Sequence, residues 1–442
     1  MPIASPGAVR ARHVLVDGAF RPATLLVADG RFTEVAAYDV ATGDREVLDV
    51  PDDVRVLPGA VDSHVHVNEP GRTEWEGFAS ATRAAALGGV TTLVDMPLNS
   101  VPPTTSVAHL RAKQAAAADR IAVDVAFWGG AVPGNLADLR PLWEAGVSGF
   151  KCFLADSGVP EFPPLDPAGF LAAVREVAGF DGLVIVHAED AAVLAASPAR
   201  PSRAYADFLL SRPDEAELAA IRQVVDGARE TGCRVHVLHL SSARALDLLA
   251  EARAEGLPVT VETCHHYLCL AADEIPDADA AFKCCPPIRD EGNREALWQG
   301  LLDGVVDCVV SDHSPATPAE KGRGDGDLQQ AWGGVSGLQV GLTALTAEAT
   351  ARGVGLEQVS RWTARATADL AGLAHKGRIE VGADADLLLW STTERTDVDA
   401  RTLAHKHPIS AYDGRSYAGR VVRTLVRGAD PGAGRMLVRE DA

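Results

Sequence analysis

Apolar runs and amphipathic stretches alternate along most of the chain. Short segments rich in valine and leucine predict strands near 57–66, 90–96, 123–129, 149–154, 183–188, 234–240, 259–265 and 307–312. Between them, apolar positions at helical spacing predict helices, for example over 107–119, 136–146, 167–178, 214–232, 245–256 and 293–304. Gly146, Gly179, Gly232, Gly256 and Gly304 fall at or just past the ends of these helices, where a left-handed C-cap is favoured. Eight strands alternating with helices predict a parallel (β/α)8 barrel of the TIM type. The near-continuous apolar character of the strands agrees, because parallel strands are covered on both faces.

The flanks have a different pattern. Residues 1–56 carry β-rich pieces such as His13-Val14-Leu15-Val16, and residues 377–442 carry similar ones, such as Leu387-Leu388-Leu389-Trp390. The expected organisation is therefore a barrel over 57–376 and a small β-sandwich domain built from 1–56 and 377–442. The Gly322-Arg323-Gly324-Asp325-Gly326-Asp327 run predicts a mobile loop.

Composition narrows the function. The 442 residues are 47% hydrophobic, enough for a large core, and carry a formal charge of −20. That balance argues against nucleic acid or an anionic membrane surface as the main partner. No basic-plus-apolar leader and no run of about 18 apolar residues is visible. The seven cysteines are odd in number and form no Cys-x-x-Cys pair. A reduced, cytoplasmic protein with free thiols is expected.

The chemistry concentrates at the strand ends. His64 and His66 stand two apart at the end of the first barrel strand, so a strand would aim both imidazoles at one spot. Lys151 lies in the fourth strand, His187 ends the fifth, His239 the sixth and Asp312 the eighth. Strand ends at the C-terminal mouth are where barrels of this kind place their active sites, so all six converge on one place. His236, three residues before His239, is expected on the opposite face, packed between barrel and helices. Lys151 sits in the apolar segment Gly149-Phe150-Lys151-Cys152-Phe153. Beside metal ions a buried ammonium is disfavoured, so the side chain must snorkel, lose its proton or form a carbamate with carbon dioxide. Charge counting favours the carbamate. With the Asp312 carboxylate and a bridging hydroxide, it leaves two divalent ions with about one net positive charge.

These motifs, with Val186-His187-Ala188-Glu189, Val237-Leu238-His239-Leu240-Ser241-Ser242, Cys285-Pro286-Pro287 and Ser311-Asp312-His313-Ser314-Pro315, resemble the cyclic amidohydrolases of the dihydroorotase, hydantoinase and allantoinase group. The Ser157–Pro163 segment and Ala331-Trp332-Gly333-Gly334-Val335-Ser336-Gly337-Leu338 are most similar to the allantoinases.

The resemblance implies a binuclear centre. His64, His66 and Asp312 would hold one ion and His187 and His239 the other, with carbamylated Lys151 bridging. Zinc is the default metal for histidine and carboxylate ligands, and cobalt, manganese or iron fit nearly as well. A metal-bridging hydroxide would attack a ring amide, Asp312 serving as general base and then general acid. Arg72, Asn99, Cys284 and Gly334 are candidate substrate contacts. The group usually has Pro-His-Tyr where this chain has His265-His266-Tyr267. His266 matches the group's histidine and His265 has no assigned role. The expected reaction is hydrolytic opening of the hydantoin ring of allantoin to allantoate, in purine nitrogen catabolism. The alternatives are a hydantoinase (dihydropyrimidinase), a dihydroorotase, or a non-catalytic assembly relative. A homo-oligomer is expected, with a tetramer favoured.

Overall fold

A computed structural model describes residues 7–439. Eight parallel strand positions form the predicted barrel. The strands are Ala60–Val65, Val90–Asp95, Asp124–Phe127, Phe150–Phe153, Leu183–His187, Arg234–Val237, Val259–Cys264 and Cys308–Val310. Closure is made by backbone bonds at the two seams. Ser148 N donates to Phe127 O at 3.0 Å, and His66 N donates to His313 O at 2.8 Å.

Alternation along the strands sorts the side chains. Phe150 and Cys152, with Val184 and Val186, pack outward against helix residues such as Phe170, Ile221 and Val224. Phe153, Ile185, Trp128 and Leu238 gather in a separate cluster. Lys151 alternates with the outward pair, so it faces the interior with Phe153.

The helices follow the predicted spans closely, as in Pro167–Ala178 and Asp214–Thr231. Asp166 caps the first of these by accepting from Gly169 N at 2.7 Å, and Pro167 occupies the first turn, where no amide hydrogen is needed. Gly232 closes the second in the left-handed region, at φ +69°. Gly179 departs from the expectation: its φ is −65°, and the left-handed position is taken two residues on by Asp181 at φ +53°. Asp tolerates that conformation better than most residues, so the turn forms one step later.

The predicted strand over 57–66 divides at Gly59. Val54–Pro58 belongs to a terminal sheet, and the barrel strand begins at Ala60. A Cβ at Gly59 would lie 2.3 Å from the Thr91 side chain, so the crossing between the two sheets requires glycine.

Both termini build that sheet. Seven strands pair in it, and Leu387–Asp397 lies antiparallel between Val54–Pro58 and Ser416–Leu425. Leu387 and Leu389 enter the core of the terminal domain with Val9, Leu25, Phe32 and Val56. Leu388 and Trp390, on the other face, join the barrel core. One strand with period two thus welds the two bodies. At the junction the buried Lys376 ammonium contacts Asp124 of the third barrel strand at 2.5 Å and Asp384 and Asp386 at 2.8 Å. The Gly322–Asp327 run forms turns that are anchored: Asp327 accepts from Ser202 N at 3.0 Å.

Candidate metal centre

The six predicted side chains meet at the C-terminal mouth of the barrel, and none is more than 6% exposed. Asp312 Oδ1 lies 3.2 Å from His64 Nε2 and 3.5 Å from His66 Nε2. Lys151 Nζ lies 3.3 Å from the same His64 nitrogen. The His239 ring is centred 5.4 Å from His64 and 4.7 Å from His187. His187 stacks on Phe153 at 4.4 Å. His239 and Asp312 reach the cluster because their backbones turn left-handed, at φ +38° and +42°. Such conformations are costly away from glycine and persist where the surroundings hold them.

Burial sets the charge states. It lowers His66 to about 4, with the Lys151 ammonium adding to the effect, and it lowers His187 and His239 as well. Neutral imidazoles are the ligand form. Burial also brings Lys151 down to about 8. For Asp312 burial alone would raise the carboxyl, but His64, His66 and His239 hold it well below the ordinary range.

A carboxylate or carbonyl orients each of three imidazoles. Glu262 Oε1 lies 2.5 Å from His64 Nδ1, Glu189 Oε2 lies 2.8 Å from His187 Nε2, and Leu98 O lies 3.3 Å from His66 Nδ1. Arg212 grips Glu189 through two bonds, of 3.1 and 2.8 Å. Glu217 accepts from Ser241 N and Ser242 N at 2.9 and 3.1 Å, which fixes the chain just beyond His239. Sequence reasoning missed Glu262, Glu189, Arg212 and Glu217. For Glu262 a signal existed: an acid inside the apolar strand Val259–Cys264 is as anomalous as Lys151.

The donor set fits divalent metal. Nitrogens of His64 and His66 and an Asp312 oxygen lie within 4.8 Å of one another. His239 Nδ1 is buried without a partner. Among the described residues no carboxylate pairs with the Lys151 ammonium.

A cavity of about 570 Å³ opens above this cluster, bounded by Asn99, Ser157, Gly158, Cys284, Trp332 and Gly334 among others. Gly334 contributes backbone alone. Its φ is +119°, its N–H donates to Lys283 O at 2.7 Å, and a Cβ would collide with Ser314 O.

A model described as the amidohydrolase family matches residues 55–429. An allantoinase of Streptomyces avermitilis is 54% identical over 422 residues, 95% of this chain and 94% of that protein. An allantoinase of Saccharomyces cerevisiae is 44% identical, covering 97% and 95%. The chain belongs to the amidohydrolase family, on its allantoinase branch. It is accordingly a hydrolase of cyclic amides. Among solved structures it is similar to an L-hydantoinase (dihydropyrimidinase) from Arthrobacter aurescens, with a TM-score of 0.92 and 30% identity over 98% of this chain and 99% of that one.

Two expectations for this allantoinase-branch site need correction. Arg72 does not line the cavity. It donates to Glu161 Oε1 at 2.5 Å and Asn99 O at 2.6 Å and lies over Trp75, so it braces the wall from behind. His236 does not pack between barrel and helices. Its Nε2 lies 3.2 Å from Glu262 Oε2, inside the barrel. Strict alternation fails because the strand ends at Val237 and the left-handed turn at His239 brings both histidines to the same side. His265, to which the sequence assigned no role, is a packing residue. It opens the short helix His265–Cys269, and its ring packs so tightly on Gly341 that a Cβ there would lie 2.3 Å from Nδ1. His266 instead points to Asp312 and Cys264.

Proposed function

We propose that this protein opens the hydantoin ring of allantoin by hydrolysis, giving allantoate. The observation that carries the reading is the convergence of His64, His66, Lys151, His187, His239 and Asp312 at the floor of one cavity, in a chain so similar to allantoinases.

In this reading His64, His66 and Asp312 would hold one ion, His187 and His239 would hold a second, and Lys151, as its carbamate, would be a ligand to both. Zinc is the preferred metal. The bound ions supply Lewis-acid activation of water and of the scissile carbonyl. Asp312 accepts the proton of the attacking water and delivers it to the departing ring nitrogen. Ser314 steadies that carboxylate, donating through Oγ to Asp312 Oδ1 at 2.9 Å. Asn99, Cys284 and Gly334 contact the ring, and the rim made by Ser157, Gly158 and Trp332 receives the ureido group.

Binding energy from the ureido group then orients the ring. The test is a side-by-side assay of allantoin, hydantoin, dihydrouracil and dihydroorotate in each metal form. Allantoin should lead in kcat/KM by about a hundredfold, since a smaller ring leaves polar cavity groups unpaired. A better turnover of any of the others in every metal form refutes the substrate assignment.

Likeness in shape to a hydantoinase favours 5-substituted hydantoins as the second reading. A dihydroorotase reading is weakened because Arg72, the cation wanted for a substrate carboxylate, is engaged by Glu161.

No helix among the described residues is long and apolar enough to cross a membrane. All seven cysteines are free, in keeping with a reducing cytoplasmic setting. A homotetramer completes the proposal, checked by light scattering.

A further inference from the structure

Glu262 is a buried carboxylate that touches two of the proposed metal-binding residues. Its Oε1 lies 2.5 Å from His64 Nδ1 and also accepts from the backbone N–H of His239 at 3.3 Å. The first contact sets the tilt of the His64 ring. The second supports the left-handed backbone that turns His239 into the mouth. Among the described residues no lysine or arginine pairs with Glu262. A buried carboxylate without a compensating partner is costly, so its free side must be covered. The cover is His236, whose Nε2 lies 3.2 Å from Oε2, a close polar contact between two buried atoms that falls outside hydrogen-bond geometry. The opposite ring nitrogen, Nδ1, lies 2.8 Å from Thr260 Oγ1 on the next strand, which fixes the ring. His236 does not line the substrate cavity. It borders a second cavity, of about 990 Å³, with Arg234 and Thr260 from the starts of their strands.

We infer that His236 is a positioning residue for the metal centre: it holds Glu262 in the one orientation that fixes both the His64 ring and the His239 backbone. This rests on the ligand roles proposed above for His64 and His239. His236 does not line the substrate cavity, so its influence on the metal centre runs through Glu262. Orienting partners of metal-bound imidazoles are worth about tenfold to a hundredfold in metal affinity. Loss of the residue that holds such a partner should reach the lower end of that range.

The experiment is zinc titration of the metal-free protein against a chromophoric chelator, with circular dichroism to establish folding. His236→Phe keeps the bulk and removes the nitrogen, and should weaken zinc binding about tenfold. His236→Gln restores an N–H donor toward Glu262, and should stay within about threefold of the natural protein. In a Glu262→Gln background, His236→Phe should have no further effect. Unchanged zinc binding in His236→Phe overturns the inference, as does an equal loss in the Phe and Gln variants. A His236→Phe effect that persists undiminished beside Glu262→Gln also overturns it, since packing alone would then explain the loss. If the Phe variant does not fold, His236→Asn replaces it, because the shorter amide cannot reach Glu262. A natural protein that binds no zinc, cobalt or manganese would instead sink the metal-centre reading itself.

Discussion

Lys151 Nζ lies 3.3 Å from His64 Nε2, with no carboxylate paired to it among the described residues. An ammonium in that position, wholly buried and facing imidazoles, is a poor final state. Burial has already brought it down to about 8, where about half of such amines are neutral, against a fraction of a percent for an ordinary lysine. The neutral amine is the form that adds carbon dioxide.

Two outcomes follow for Lys151. Lys151→Ala should lose metal and nearly all turnover, measured by elemental analysis and assay, and short carboxylic acids at high concentration should restore part of the activity. The pH dependence has a definite sign. Below pH 8 the amine is mostly protonated and carbamate formation is slow. Raising the pH from 7 to 9 at constant dissolved carbon dioxide should speed formation, followed by carbon-13 NMR on metal-free protein. Two tightly held metals and normal turnover in Lys151→Ala would remove the carbamate from the proposal.

Asp312 carries a different burden. Asp312→Asn preserves shape and leaves an oxygen for the metal, but the amide cannot accept a proton. Metal content should persist while kcat falls by about a hundredfold to ten-thousandfold. Near-normal kcat would take the proton-transfer role away from Asp312.

Lys376 tests the junction instead of the chemistry. It compensates Asp124, Asp384 and Asp386, all buried between barrel and terminal sheet. The three carboxylates and their neighbours hold its ammonium in the charged form against burial. Lys376→Met should therefore destabilise the protein by about 3–5 kcal/mol, because it leaves carboxylates facing one another without a cation. Denaturant unfolding of the metal-loaded protein measures this. A change below about 1 kcal/mol would mean that Arg427, which also pairs with Asp124, is sufficient alone.

Much of this was legible in the chain. The alternation of apolar strands and amphipathic helices determined a barrel, because parallel strands covered on both faces leave that pattern and few others. His64, His66, Lys151, His187, His239 and Asp312 stood out for one reason: polar or charged groups at the ends of apolar strands must meet at the mouth. The approximate extents of the helices were equally local, since caps and periodicity are short-range properties. What needed the tertiary structure was orientation. Sequence alternation placed His236 and His239 on opposite faces, and only the left-handed backbone at His239 brought them together. Arg72 looked free to meet substrate until Glu161, 89 residues away, engaged it. Glu262 was given no role because an acid's role depends on which imidazole lies within 3 Å, and for Glu262 and His64 that is decided between strands 198 residues apart in the chain. Glu189 stood in a quoted motif, but its contact with His187, two residues away, depends on how the chain turns after the strand. Local pattern fixes which residues reach the mouth. The direction each one faces there is set by hydrogen bonds across the barrel, which no spacing along the chain encodes.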